Sequence, residues 1–168
     1  MPETVVVGGG HTGLVASWHL AARGVDHVVL AAGLIGETWR TQRWESFACN
    51  TPTWMTRPPG DGDDPEPQDG FLLRDQWVSR LGQAAPRELA AEGFGAIIWA
   101  TGFGPDVAFL DAALRGTDGA PLQENGVGVV PGLWCLGIPW QRTRASAVVF
   151  GADADAAVMA DAVVAHLG

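Results

Sequence analysis

The apolar positions of this chain fall into two kinds of pattern. Thr4 to Val7 is a short, continuous, β-branched and uncharged run, as expected of a buried parallel strand. Leu14 to Arg23 follows helical spacing, with Leu14, Trp18 and Ala21/Ala22 on one face and Gly24 placed to end the helix. His27 to Leu30 reads as a second strand, which completes a βαβ unit. Ala32 to Asp69 is predicted to be mostly loop, punctuated by Trp39, Trp44, Trp54, Pro52, Pro58 and Pro59. Arg74 to Leu81 is predicted helical. Ala96 to Ala100 and Leu133 to Leu136 are predicted buried strands, closing at Thr101-Gly102 and at Gly137. After Ser146, the apolar residues Val149, Ala152, Ala156, Met159, Val163 and Leu167 step by threes and fours along a long final helix. The pattern predicts one domain over residues 1–168, of α/β class, with a Rossmann-like three-layer build, a mostly parallel sheet and a loop-rich region at 32–70.

Gly8-x-Gly10-x-x-Gly13 lies between the first strand and the first helix. Gly8 suits a tight turn, Gly10 a close backbone approach to a pyrophosphate, and Gly13 close packing of helix on strand. A helix N-terminus there supplies free N–H groups to phosphate. The acidic residue that normally ends the second strand, and holds a ribose, is missing: the strand runs out in Leu30-Ala31-Ala32-Gly33. Losing one hydrogen bond to a charged group costs about 1.5–3 kcal/mol, so binding is weakened rather than abolished.

Composition narrows the chemistry. All ten positive side chains are Arg, and without Lys neither a Schiff base nor a P-loop is available. Tyr is absent too, which removes any phenolic acid. A net charge of −9 argues against nucleic acid, and no basic run offers a membrane anchor. Two cysteines, Cys49 and Cys135, fit a reducing cytoplasm, with neither a signal peptide nor a membrane helix expected. No metal site is expected from the four His, and the acidic stretch Gly60 to Gly70 lacks calcium-loop spacing.

Several linked stretches resemble the bacterial branch of the flavin-containing monooxygenase family. They are VVVGGGHTGLVASWHLAARGVDHVVL, GETWR at Gly36 to Arg40, RWESFACNTPTWMTRPPG at Arg43 to Gly60, IIWATGFGPD from Ile97, and VPGLWCLGIPWQRTRASA from Val130. The resemblance implies an FAD-binding oxidoreductase acting on a small organic substrate. It implies that Gly8, Gly10, His11, Thr12 and Gly13 lie at the FAD pyrophosphate and that Trp39 and Arg40 lie along the cofactor. Asn50 resembles the family Asn beside the flavin that supports the oxygen adduct, with Trp54 nearby. Thr101 and Gly102 resemble the strand-end ATG motif. Gly137, Pro139 and Trp140 would border the isoalloxazine ring, and Ser146 would sit near the helix end facing the flavin.

Family members carry a second GxGxxG domain for NADPH, and no such motif is found in this sequence. Gly93-x-Gly95 precedes a strand, and Gly102-x-Gly104 and Gly126-x-Gly128 lack the third glycine. Electrons are therefore expected from a separate reductase or other donor. The candidate catalytic residues are Asn50, His11 and Glu37. Each has a plainer reading: a turn residue before Thr51-Pro52, a cap on the phosphate site, and a helix-start carboxylate. A second reading of the whole is a non-redox isomerase, cyclase or dehydratase, or an accessory subunit, on a flavoprotein scaffold that no longer uses NADPH. A homodimer is expected in either case, to cover apolar surface.

Overall fold

A computed structural model of the chain describes residues 2–31, 33–61, 70–84, 96–99, 107 and 110–168, with backbone only at 84 and 96–99. Its elements are β1 (Thr4–Val7), α1 (His11–Ala22), β2 (His27–Leu30), α2 (Glu37–Thr41), α3 (Arg74–Ala84), β3 (Ala96–Trp99), β4 (Gln123–Glu124), β5 (Val127–Gly128), β6 (Leu133–Cys135) and α4 (Val149–Leu167). Single 3-10 turns occupy Thr53–Met55 and Ala112–Leu114.

One six-stranded sheet runs β2-β1-β3-β6-β5-β4. The first four strands pair in parallel, with Val5 opposite Val28 on one side and Ile97 on the other. The last two join antiparallel. Val6 and Val29 face α1 and α4, while Val5, Val28, Leu133 and Cys135 are buried as well. A strand with both faces covered needs apolar residues at every position, which is why these runs do not alternate. This is a Rossmann-like α/β fold with a mostly parallel sheet.

The first helix differs from its expected bounds. It starts at His11, three residues before Leu14, so the last three positions of the glycine turn are already helical. Its end follows the glycine rule. Gly24 has φ +72°, its N–H donates to Ala21 O at 3.0 Å, and the Val25 N–H donates to Leu20 O at 3.0 Å. That pair of bonds is a Schellman closure, which a residue with a Cβ enters only with strain.

The loop-rich region holds more structure than its sequence suggests. The five-residue helix α2 sits inside it, and residues 47–53 pair with 70–74. Cys49 N–H donates to Leu72 O at 2.8 Å, Arg74 N–H to Phe47 O at 2.9 Å and Thr53 N–H to Gly70 O at 2.7 Å. The β4–β5 hairpin also went unpredicted. It turns through Asn125 and Gly126, both with positive φ (54° and 91°), the conformation that favours Asn-Gly in two-residue hairpins.

Candidate cofactor site

Among the described residues, the glycine turn is held by its neighbours on one side and open on the other. Gly8 has φ +123°, and its N–H donates to Leu30 O at 2.8 Å, tying the end of β1 to the end of β2. A Cβ on Gly9 would come within 2.6 Å of the Ala31 Cβ, so packing demands glycine there. Gly10 is different: it caps α1 in an extended conformation, and a Cβ built on it meets nothing within 4 Å among the described residues. The first turn of α1 carries no acidic residue and no side-chain cap, and the helical ladder begins with Leu14 N–H to Gly10 O. The amides before Leu14 take no part in that ladder, in the arrangement that suits an anion.

Two loops bracket this turn at the C-terminal ends of the parallel strands, where open α/β sheets place ligands. After β2, the buried Gly36 donates its N–H to Gly9 O at 3.4 Å. After β6, Gly137 has φ +85°, and a Cβ there would lie 3.3 Å from Thr12 Cγ2. The structure thus brings Gly8, Gly10, Thr12, Gly13 and Gly137 together. Beyond Gly137 the chain reverses with Gln141 N–H donating to Ile138 O at 3.1 Å and Trp140 at φ +60°. Pro139 fixes a negative φ at the second position, so this is a type II turn with Trp in the place that favours Gly. Trp140 is 72% exposed, and Pro139 is exposed beside it.

Ser146 lies just before α4, and its buried side chain accepts the Arg142 and Thr143 N–H groups at 3.1 and 3.0 Å, which staples the turn leading into that helix. Arg142 in turn pairs with the buried Asp155 at 2.9 Å.

An aromatic cluster flanks the turn. The His11 ring lies 5.4 Å from the ring of Trp77, which meets Trp39 at 5.9 Å nearly edge to face. Trp39 is also 5.7 Å from Phe47, and the Arg43 guanidinium lies over it at 5.4 Å. Burial pushes the His11 imidazole down to about 4, against a weaker upward pull from Asp153. The ring is neutral at pH 7 and a poor proton acceptor, which suits hydrogen bonding better than base catalysis. Arg40 is exposed and donates from Nε to Ile35 O at 3.2 Å. Glu37 is exposed, with Oε2 accepting the Leu34 N–H at 3.3 Å.

Asn50 is exposed on the crest between the two anchored positions Cys49 and Thr53. Trp54 is half exposed and meets the half-exposed Phe150 of α4 at 6.2 Å. Burial pushes the thiols of Cys49 and Cys135 up to about 11, so both are protonated, inert fillers at neutral pH. Thr101 and Gly102 lie outside the described residues. Trp77 and Phe150 were not singled out in the sequence. Each sits at a helical position whose partner lies far along the chain, so local pattern gives no signal for them. Among the described residues, no group of three or more His, Cys, Asp or Glu could hold a metal, and no helix is long and apolar enough to cross a membrane.

No protein-family model matches the chain. A flavin-containing monooxygenase from Stenotrophomonas maltophilia superposes with a TM-score of 0.80 at 15% identity, over 99% of this chain and 99% of that one. A mutant of the Stenotrophomonas maltophilia flavin monooxygenase superposes with a TM-score of 0.81. At such identity the likeness establishes the fold. In sequence, the chain is 38% identical over 71 residues to an uncharacterised CzcO-like oxidoreductase of Geobacillus kaustophilus strain HTA426, 42% of this chain and 20% of that protein. It is 31% identical over 117 residues to the indole-3-pyruvate monooxygenase YUCCA1 of Oryza sativa subsp. japonica, 69% of this chain and 29% of that protein. The chain spans less than a third of the length of these curated relatives.

Proposed function

We propose that this chain, a relative of flavin-dependent monooxygenases and oxidoreductases with their Rossmann-like fold, binds FAD and serves as an oxidoreductase on a small organic substrate. The observation that carries the reading is Gly10: a glycine on the N-terminus of α1 with open space where its side chain would be. A pyrophosphate fits both that space and the amides beside it.

In this reading the turn from Gly8 to Gly13 cradles the pyrophosphate, and His11, neutral and buried, lines it without bringing charge. Trp39 and Arg40 lie along the cofactor. Gly137 lets the loop after β6 close on Thr12, and Pro139 and Trp140 border the flavin ring with Trp54 opposite. Asn50, anchored at both ends by backbone bonds, presents its amide as a hydrogen-bond donor at the reacting centre. Thr101 and Gly102 complete the strand-end motif. FAD, when bound, supplies two-electron transfer between the substrate and dioxygen or another acceptor. No NADPH site of its own is assigned to the chain; a separate reductase or the substrate supplies electrons. The protein works in the cytoplasm as a homodimer.

A second reading has one specific support, the exposed Ala31 where an acid would hold the ribose. It makes the cleft the site of a non-redox enzyme or of an accessory subunit. The visible spectrum of the purified protein, followed by FAD titration, separates the two. One FAD per chain, bleached by a reductant and restored by air, is the expected result. A colourless protein that ignores added FAD leaves only the second reading.

A further inference from the structure

The carboxylate missing from the end of β2 returns from another place. β2 ends at Leu30, and Ala31 follows it exposed and without a polar atom on its side chain. The chain then loops back, and Gly36 N–H bonds Gly9 O at 3.4 Å, which ties the returning segment to the glycine turn itself. Glu37 comes next, and its side chain folds back over the loop. A Cβ built on Gly33 would lie 2.9 Å from Glu37 Cγ, 3.1 Å from Cδ and 3.3 Å from Oε2. Glycine at 33 therefore leaves room for this carboxylate, three residues past the strand.

The group is held as well as placed. Oε2 accepts the Leu34 N–H at 3.3 Å, while Oε1 takes no hydrogen bond among the described residues. Arg40 Nε bonds Ile35 O at 3.2 Å and Thr41 Oγ1 bonds Glu37 O at 2.8 Å, so both ends of the segment are pinned. Leu34, beside the carboxylate, is 69% exposed.

We infer that Glu37 is the ribose-binding carboxylate of this site, with the exposed Leu34 as the apolar leaf against adenine. The vicinal diol of a ribose offers two O–H donors, and a carboxylate with a free oxygen accepts them with charge assistance. Adenine is flat and apolar on its faces and covers the exposed leucine. This assignment rests on the FAD reading. It gives Glu37 a binding role in place of a catalytic one.

The test is calorimetric titration of FAD and of FMN, which lacks the adenosine, into the wild type, Glu37→Gln and Glu37→Gln/Ala31→Glu. Gln keeps an acceptor for the Leu34 N–H, and thermal melting checks that each variant folds. Glu37→Gln is expected to weaken FAD by about tenfold to a hundredfold and to leave FMN unchanged. Adding Ala31→Glu, which places an acid at the strand end, is expected to restore most of that loss. A wild type that binds FAD and a folded Glu37→Gln that binds it equally well overturn this inference alone. Equal losses for FAD and FMN overturn it too, because the effect then lies outside the adenosine. A wild type that binds no FAD overturns the FAD reading and this one with it.

Discussion

Two packed regions meet along α1, and they are made differently. On one side, Val6, Val15, Leu20, Val29 and Val163 form an aliphatic core between the sheet and the helices α1 and α4, with Trp134 its one large ring among the described residues. On the other, Leu14, Phe47, Leu72, Trp77 and Leu81 are joined by Trp39 and Ile35 into a core rich in rings. The first is held by regular elements whose register the strand pairing fixes. The second is held by a short backbone ladder, a five-residue helix and rings meeting at an angle. Trp77 Nε1 is buried there with no hydrogen-bond partner among the described residues. The division separates tasks: the aliphatic core carries the fold, and the ring-rich core shapes the wall next to the glycine turn.

The strongest way to break this division is to cut into each side. Trp77→Ala is expected to cost about 3–5 kcal/mol and to abolish FAD binding, while Leu20→Ala costs about 2–5 kcal/mol but leaves the folded fraction binding as before. Denaturant melts with parallel FAD titrations read both. Equal damage to binding from the two would make them one unit.

The boundary residue His11 gives the next effect. Its pKa is about 4 when folded and 6.5 in the unfolded chain. Below about pH 6.5 the unfolded chain binds a proton that the fold refuses, so the contribution is complete above that pH and lost as pH falls towards about 4. The loss is roughly 3 kcal/mol at most. Stability measured from pH 7 to pH 4 is expected to fall, and His11→Leu to flatten that slope; an unchanged slope would put the titration elsewhere.

The smallest effect on stability is the sharpest on the site. Gly10→Ala meets no neighbour and is expected to shift stability by less than about 0.5 kcal/mol while weakening FAD at least a hundredfold. Gly9→Ala, which would push into Ala31, is expected to destabilise the turn itself. If Gly10→Ala binds FAD normally, the open space is not the pyrophosphate site.

The aliphatic core was legible because β-branched runs and three- and four-residue steps report regular elements directly. β1, β2 and the end of α1 at Gly24 lie where those signals put them, and α4 follows its predicted face. The ring-rich core was not legible. α2 is too short to show a period, and the contacts of Trp77 with His11 and Trp39 join segments dozens of residues apart. Asn125-Gly126 did carry a hairpin signal, but its strands are two residues each, too short to show alternation. At the site, the glycine spacing marked the turn, while the fate of Ser146 depended on a local turn whose hydrogen bonds no spacing rule describes. The lowered His11 pKa comes from burial, which depends on segments far along the chain and so carries no local sequence signal.

The seam between α1 and α4 also sets an order of events. Arg23 reaches Asp161 at 2.7 Å and His19 reaches Asp153 at 2.6 Å, across more than 130 positions of chain. During synthesis, the face of α1 bearing Val15, Ala16 and Leu20 can meet Val6 and Val29 early, but it gains its helical cover only when residues near Val163 have been made. A helix that is half covered for that interval is a surface on which chaperones act before α4 docks.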